Sequence, residues 1–519
     1  MSRRVSLSEV NIDVAEGRAT TAEAAEPDTP FRIAILGDFS GRASRGVCEP
    51  LADRRAVLVD RDNFDAVLAK CGCELKLSLA GSQDSSVTLR FAELDDFHPD
   101  RIFENVELFR RLRQARQKLA DPKTFAATAR ELGIMPASAA TPAESRPAAA
   151  AHPPAPPDPS SLVSGSLLDQ TVEQTEAGPA EPRRSRPDEL MSFARRAVEP
   201  YLVPGADPRQ SEVVARVDDA ISDAMRALLH YPGFQALEAA WRAVDLLARR
   251  LETGSQLKVY LIDVSKAELV RDLLATDDLS VSGAYKLLVD KTVGTPGAET
   301  WSVLVGNYSF EGAIEDMELL RRLALIGAAA RAPWLAAASP KLLGCESLSA
   351  TPEPRDWRPQ AASEGFQAWR MVRRLPEARW VGLALPRFLL RLPYGKDTES
   401  TERFEFEEMP GVPAHEGYLW GNSAFACALL LARAFSDDGW DLHPGSQSEV
   451  GELPLHVYKV NSESEAKPCA EVLLTTEAVE CVLEAGIMPL VSFKNRDVVR
   501  LARFQSVADP PAALRGRWG

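Results

Sequence analysis

The chain has 519 residues, of which 45% are hydrophobic and 26% are charged, proportions typical of a soluble globular protein. This length predicts several domains with substantial cores. The formal net charge of −15 argues against a general nucleic-acid binder, because affinity for polyphosphate comes from clustered Lys and Arg, and it leaves room for a basic protein partner.

Three further features predict a cytoplasmic protein. No stretch approaches the roughly 18 uninterrupted apolar residues of a membrane span, so we expect no membrane insertion. The N-terminus has basic residues but not the apolar core of a signal peptide. The cysteines number seven, and an odd count scattered over a long chain suits a reducing compartment better than a disulfide framework.

Residues 1–30 are predicted to form an N-terminal arm. Apolar and polar positions alternate in its first 14 residues with one phase slip near Glu9, which predicts an extended strand with a bulge. Because no hairpin partner follows, the backbone of this strand must pair with a distant segment or with another molecule. Its apolar positions are Val5, Leu7, Val10, Ile12 and Val14.

Residues 31–135 predict a compact α/β unit. Apolar runs and alternation predict strands at 31–36, 73–80 and 85–94, and helical spacing predicts a helix at 64–71.

A long helix is predicted next, from about Pro99 to Leu119. Pro99 suits the first helical position, and one apolar stripe follows it. Basic residues crowd the C-terminal half, which we interpret as a solvated face. The stripe consists of Ile102, Val106, Phe109 and Leu112.

The remainder of the chain divides into three segments. Residues 136–165 are almost all Ala, Pro and Ser, a composition that cannot form a core and predicts a disordered linker. Residues 166–255 predict helices, and residues 256–519 predict an α/β core with a helix at 476–485. The predicted fold class is therefore α/β (mixed α+β), with two α/β units joined by the linker.

The turn from Gly37 to Gly41 raises the question of a phosphate site, because a strand followed by a glycine-bearing turn begins many nucleotide sites. A dinucleotide site needs G-x-G-x-x-G leading into a helix, whereas these two glycines are four positions apart. The segment at 394–398, with Lys396, likewise lacks the glycine that a Walker lysine requires. We expect no cofactor.

Metal and catalytic patterns are equally weak. Cys71 and Cys73 have no second cysteine pair, so we expect no metal site. The glutamates between Glu402 and Glu408 could supply paired carboxylates, but such a run is typical of a solvated strand face. We therefore predict no catalytic residues, which leaves binding and assembly.

Two parts of the sequence resemble subunits of one machine. "RIAILGDFSGR", "LVDRDNFDAVLAK" and "FAELDDFHPDRIFENVELFRRL" resemble the small subunit of the contractile sheath of type VI secretion systems, the TssB (VipA) family. From "SLLDQTVEQT" onward the chain resembles the large subunit, the TssC (VipB) family, notably in "DAMRALLHYPGFQALEAAWRAVDLL", "RLPYGKDTE" and "YLWGNSAFACALLLARAF". The resemblance covers most of residues 31–134 and 166–510.

This resemblance implies a contractile-tail-sheath fold without enzymatic activity. Sheath subunits form a helical tube around an inner tube of Hcp rings, and contraction drives that tube outward. Strands donated between protomers join successive rings, and the strand at residues 5–14 is the natural donor.

The resemblance also implies a recognition helix for the recycling AAA+ ATPase ClpV. "LLDQTV" matches the helix of the large subunit that ClpV recognises, although Thr171 replaces an apolar residue and the helix is internal here. The alternative is a small helix that packs on its own domain. The matching residues are Leu167, Leu168, Asp169, Gln170 and Val172.

A third implied site is a helix that touches the inner tube. Glu477, Glu480 and Glu484 share one face of the predicted helix at 476–485, roughly opposite three apolar residues. This acidic face could bind a basic tube surface with low affinity per copy, multiplied over many copies. A plain solvated face is the alternative. The apolar residues are Val479, Val482 and Leu483.

The chain departs from the family in carrying both subunits, which are otherwise separate chains of an obligate heterodimer. Fusion fixes a 1:1 ratio and gives an effective concentration on the order of millimolar. The first hypothesis is a sheath component whose partners are its own copies, separate sheath subunits, Hcp, baseplate proteins and ClpV. The alternatives are a non-polymerising adaptor or cap, or an enzyme with a site around Glu402–Glu408 and His415.

Overall fold

The computed structural model describes residues 26, 28–78, 86–132, 210–359 and 361–518. The α-helices are α1 (Arg42–Arg45), α2 (Phe64–Cys71), α3 (Pro99–Asn105), α4 (Glu107–Ala120), α5 (Pro122–Glu131), α6 (Gln210–Leu229), α7 (Pro232–Arg250), α8 (Lys266–Leu274), α9 (Gly283–Tyr285), α10 (Ile314–Ala330), α11 (Glu364–Arg373), α12 (Ser423–Asp438) and α13 (Thr476–Glu484).

The strands and shorter helices complete the secondary structure of the described residues. The strands are β1 (Phe31–Gly37), β2 (Val57–Val59), β3 (Cys73–Ser78), β4 (Ser86–Phe91), β5 (Leu257–Asp263), β6 (Val303–Phe310), β7 (Trp334–Ala338), β8 (Val381–Leu385), β9 (Phe388–Leu389), β10 (Trp420–Gly421), β11 (Glu449–Val450), β12 (Val457–Val460), β13 (Glu463–Ala466), β14 (Met488–Ser492) and β15 (Val499–Leu501). Short 3₁₀ helices lie at Leu51–Asp53, Leu94–Phe97, Leu279–Val281, Pro340–Leu343, Pro354–Asp356, Pro376–Trp380, His415–Gly417 and Gly439–Asp441, and a π-helix lies at Lys286–Asp290.

Nine strands of the described chain form one sheet in the order β11-β15-β14-β8-β7-β6-β1-β5-β2. From β14 to β5 each neighbouring pair is parallel, and the strands at the two ends, β11 and β15 on one side and β2 on the other, pair antiparallel. The remaining strands pair as β9 with β10, β12 with β13 and β3 with β4. The mixed α+β fold class is thereby confirmed.

Strand β1 lies in the interior of this sheet, between β5 and β6. Its register pairs Ile33 with Val259 on one side and with Val303 on the other. Alternate side chains of a strand point to opposite faces, and those of β1 are buried on both faces. A strand buried on both faces reads as a continuous apolar run, which explains the sequence of residues 31–36.

Helix α12 covers part of the sheet and is apolar nearly all round. It packs against β1, β6, β7 and β8, and also against α7. A helix enclosed by a sheet and a second helix has little exposed face, so nearly every side chain from Ser423 to Phe435 is buried. This explains the long apolar stretch that the sequence shows here.

The described residues fall into two compact units, which we describe separately. The first contains residues 26–75, 90–97 and 229–518, and therefore the nine-stranded sheet. The second contains the described parts of 76–89 and 98–228, and therefore helices α3 to α5 and nearly all of α6. This division differs from the boundaries that composition indicated, because β1 and β2 belong to the sheet of the later segment.

In the second unit, the predicted long helix from Pro99 to Leu119 is wrong in one respect. It breaks at Val106, whose φ of −81° and ψ of 127° are extended, so that α3 and α4 are separate helices. The buried stripe continues through Ile102, Phe109 and Leu112, whereas Val106 is only half-buried.

The basic run on α4 is largely paired within the second unit. Arg116 forms an ion pair with Asp218 of α6, and Arg110 and Arg111 pair with Glu107 on their own helix. These pairs are partly exposed and are therefore compatible with a solvated face, on which three of the cations have partners in the chain. Exposed pairs of this kind add little stability each.

Two glycines test how tightly the turn after β1 is packed. Gly41 and Gly46 both have positive φ, +74° and +64°, but a Cβ on Gly41 would overlap the carbonyl oxygen of Glu74 whereas a Cβ on Gly46 would meet open space. We expect Gly46→Ala to lower the free energy of unfolding by about 1–2 kcal/mol, the cost of the left-handed conformation. Gly41→Ala should cost at least about 2 kcal/mol more, because backbone must move. Denaturant unfolding of both variants measures the difference, and equal losses would contradict the packing described.

Candidate functional site

The turn after β1 is held by two carboxylates of the protein itself. Asp263, at the end of β5, accepts hydrogen bonds from the amides of Phe39 and Ser40 at 2.8 and 3.2 Å. Asp38 accepts from the first two amides of α1 at 2.6 and 2.8 Å. A phosphate cradle needs such amides to be available to the ligand. Here the carboxylates occupy them, so the turn serves as a joint between β1 and β5.

Next to this joint lies a buried ion cluster centred on Glu268, which we call the Glu268 cluster. Arg42 donates from Nε to Oε2 at 2.9 Å and from Nη2 to Oε1 at 3.0 Å, and Arg54 forms a second ion pair with the same carboxylate. Burial raises the pKa of Glu268, but the hydrogen bonds from both arginines outweigh burial and hold the pKa at about 2. The cluster therefore ties the chain before residue 76 to the chain after residue 228.

Glu268 has a second role at the start of α8. Ser265 is the N-cap residue of this helix, and the two side chains form a reciprocal capping box. The capping box fixes the carboxylate in the position where the arginines meet it.

A second buried ion cluster, the Arg391 cluster, lies deeper in the same unit. Arg391 contacts Glu238 of α7 at 2.8 Å and Glu408 at 2.7 Å, and the three residues are 5%, 0% and 1% exposed. Its guanidinium stacks over the ring of Tyr394, 4.2 Å from the centroid. Burial raises the pKa of Glu408, but Arg391 outweighs it and holds the pKa at about 2.

Arg242 completes the Arg391 cluster. It donates to Glu238 at 2.7 Å and to the hydroxyl of Tyr394 at 3.0 Å. Two buried carboxylates thus face two guanidinium groups, so the charges balance. Buried charges of this kind persist only when they are paired and hydrogen-bonded.

The interpretation of the Glu402–Glu408 run as a solvated strand face is wrong in two respects. The described residues of this run form no strand, and Glu408 is buried. The hydrogen bonds place Glu408 beside Arg391, whereas His415 lies 3.4 Å from Glu471. The two parts of the carboxylate site considered from the sequence therefore belong to different hydrogen-bond networks.

Sequence reasoning missed Glu238 and Arg391, although a signal was present. Glu238 occupies a buried position on α7 next to Leu237 and three residues before Trp241, which are both core residues. Arg391 interrupts the apolar run that contains Leu389 and Leu390. A charged residue at a position that periodicity assigns to the core indicates a buried ion pair.

The acidic helix α13 presents its glutamates to solvent. Glu477, Glu480 and Glu484 are exposed, while Ala478 and Val482 are buried against the unit. Burial raises the pKa of the Cys481 thiol, and the charges of the three carboxylates raise it further. The geometry therefore gives one coherent negative surface, which we call the α13 acidic face.

Two of the predicted sites lie outside the described residues. They are the strand positions Val5, Leu7, Val10, Ile12 and Val14, and the helix positions Leu167, Leu168, Asp169, Gln170 and Val172. Their roles as a donated strand and as a ClpV recognition helix stay predictions.

The described ranges contain neither a cluster of metal-ligand type nor a membrane-spanning helix. Within those ranges, no three His, Cys, Asp or Glu side chains converge as metal ligands would. The helices in the same ranges include none with the length and apolarity needed to span a bilayer.

These contacts describe a mixed α/β fold, in which buried ion pairs and a shared sheet join distant segments. The family described as "EvpB/VC_A0108, tail sheath N-terminal domain" matches residues 211–508, and the chain belongs to this tail sheath family. The family described as "Type VI secretion system, VipA, VC_A0107 or Hcp2" matches residues 5–133. The predicted fusion of a small-subunit segment to a large-subunit segment is thereby confirmed.

Two curated relatives from Pseudomonas aeruginosa agree with this assignment. The chain is 34% identical to the type VI secretion system sheath protein TssC1 over 304 residues, which cover 57% of this chain and 61% of the relative. It is 29% identical to the sheath protein TssB1 over 100 residues, which cover 18% of this chain and 58% of the relative. The chain thus spans less than two thirds of the length of each.

Proposed function

We propose that this chain is a structural component of the contractile sheath of a type VI secretion system. It polymerises in the cytoplasm around the Hcp inner tube, contacts the baseplate, and contracts to propel the tube. Membership of the tail sheath family supports this role. The observation that carries the proposal furthest is the position of β1, because it makes one rigid sheet from the small-subunit and large-subunit segments.

The proposed mechanism stores free energy in an extended lattice whose protomers repack on contraction. The compact unit that contains the nine-stranded sheet must then move as one body. The shared sheet and the two buried ion clusters provide that rigidity. Strands donated between protomers keep neighbours connected while the lattice changes.

Deleting residues 1–14 tests strand donation. We expect the purified full-length chain to form filaments or rings about as wide as a phage tail in electron micrographs, and the deletion variant to remain as single particles. A second disruptive variant has proline at both Val10 and Ile12, which removes two amide donors. Its matched control has threonine at the same two positions, which keeps β-branched strand residues. Polymers of unchanged length in the deletion and proline variants would refute strand donation. Discrete particles from the intact chain would instead favour the adaptor or cap.

Charge reversal tests the α13 acidic face as the contact with the inner tube. Changing Glu477, Glu480 and Glu484 to lysine should abolish co-sedimentation with preformed Hcp tubes, because the tube surface would then face like charge. The control changes three other exposed glutamates to lysine, Glu252, Glu346 and Glu463, and alters the net charge equally. Both variants should keep the thermal midpoint of the parent chain. Co-sedimentation that survives in the α13 variant would contradict the contact.

A further inference from the structure

Another buried carboxylate, Glu471, begins a series of hydrogen bonds that ends on a lysine. Arg387 holds Glu471 through its backbone amide, 2.9 Å from Oε2, and through Nε, 2.8 Å from Oε1. His415 Nε2 lies 3.4 Å from that Oε1, and His415 Nδ1 lies 2.9 Å from Lys467 Nζ. Carboxylate, imidazole and amine thus follow one another in hydrogen-bond contact.

The order of these hydrogen bonds determines where the protons lie. An ammonium at Lys467 donates to Nδ1 of His415, so the ring carries its own proton on Nε2 and donates it to Glu471. Burial raises the pKa of Glu471, but the hydrogen bond from His415 and the charge of Arg387 outweigh it and hold the pKa at about 2. Glu471 is therefore an anion, and it would stabilise an imidazolium at His415 if the lysine gave up a proton.

Aromatic rings enclose the amine. Lys467 Nζ lies 5.4 Å from the ring centroid of Trp420 and 5.5 Å from that of Tyr418. Trp420 also donates from Nε1 to the backbone carbonyl oxygen of His415 at 3.0 Å, and its ring packs against the imidazole with the centroids 5.1 Å apart. Burial lowers the pKa of Lys467, against the opposing charges of Glu471 and Glu416. The lysine remains half-buried, so one side of it is open to solvent.

We propose that Lys467 is an acylation site, whose amine attacks a small activated acyl group with His415 as the base. The ammonium first passes one proton to His415 Nδ1. The free amine then attacks the carbonyl carbon of an acyl phosphate, a C–N bond forms, the C–O bond to phosphate breaks, and the second amine proton leaves with the phosphate. A thioester is the other source of the same acyl group, with a thiol as the leaving group.

Acylation would change the local packing. The product is a neutral amide, so the cation–π contacts with Tyr418 and Trp420 and the hydrogen bond to Nδ1 as a charged donor are lost. The site lies directly after the hairpin formed by β12 and β13, and Lys467 donates its backbone amide to His456 just before that hairpin. Modification at this point therefore acts on the base of the hairpin.

The relative rates of acetylation at two lysines test the proposal. The purified full chain is incubated with acetyl phosphate or with acetyl-coenzyme A, and peptide mass spectrometry follows Lys467 together with Lys459, an exposed lysine on β12. We expect Lys467 to react at least about tenfold faster than Lys459 near pH 7 with one of the two donors, as for an amine beside a positioned base. The reacting donor identifies the source of the acyl group.

Variants distinguish a role of His415 as the base from a merely structural role. His415→Gln should slow Lys467 to the rate of Lys459 and make its rate fall about tenfold per pH unit below the pKa, as for a free amine. His443→Gln, at an exposed histidine, should change neither rate. A rate at Lys467 no higher than at Lys459 in the parent chain, with both donors, would overturn the proposal whether or not the variants fold.

Discussion

The backbone hydrogen bonds of β1 join the two family segments into one sheet. This strand precedes residues 133–209, yet it pairs along its whole length with β5 and over its centre with β6, both of which follow them. Without it, β5 and β6 would face a gap about one strand wide, with unpaired backbone groups buried on both sides. The sheet is therefore complete only when the two family segments come together.

The ion clusters make sense in relation to this constraint. A parallel sheet buried on both faces is stabilised by its apolar side chains and its backbone hydrogen bonds. The Glu268 cluster adds a charge contact that only one register of β1 against β5 allows, because Arg42 and Glu268 both lie just after those strands. Separate chains would have to form these contacts by docking, whereas fusion makes the same step intramolecular.

The Arg391 cluster connects a different pair of regions. It joins α7 to the segment between β9 and β10, two regions more than a hundred residues apart, through charges that solvent does not reach. The energetic advantage of a buried pair over apolar residues is small, but removing one partner is costly. Such a cluster therefore specifies one arrangement of the two regions more than it adds stability.

Elements whose signal is local could be predicted from the sequence. An apolar run placed β1 and helical spacing placed α2, since each signal depends on neighbours within a few residues. The motifs that resemble the small and large sheath subunits predicted the order of the two segments. Four features could not be predicted in this way: β1 lies inside the later sheet, Glu408 is buried, Val106 interrupts a helix, and His415 contacts Lys467. These features depend on which residues, distant in sequence, pack against one another. The spacing of residues along the chain does not predict such contacts.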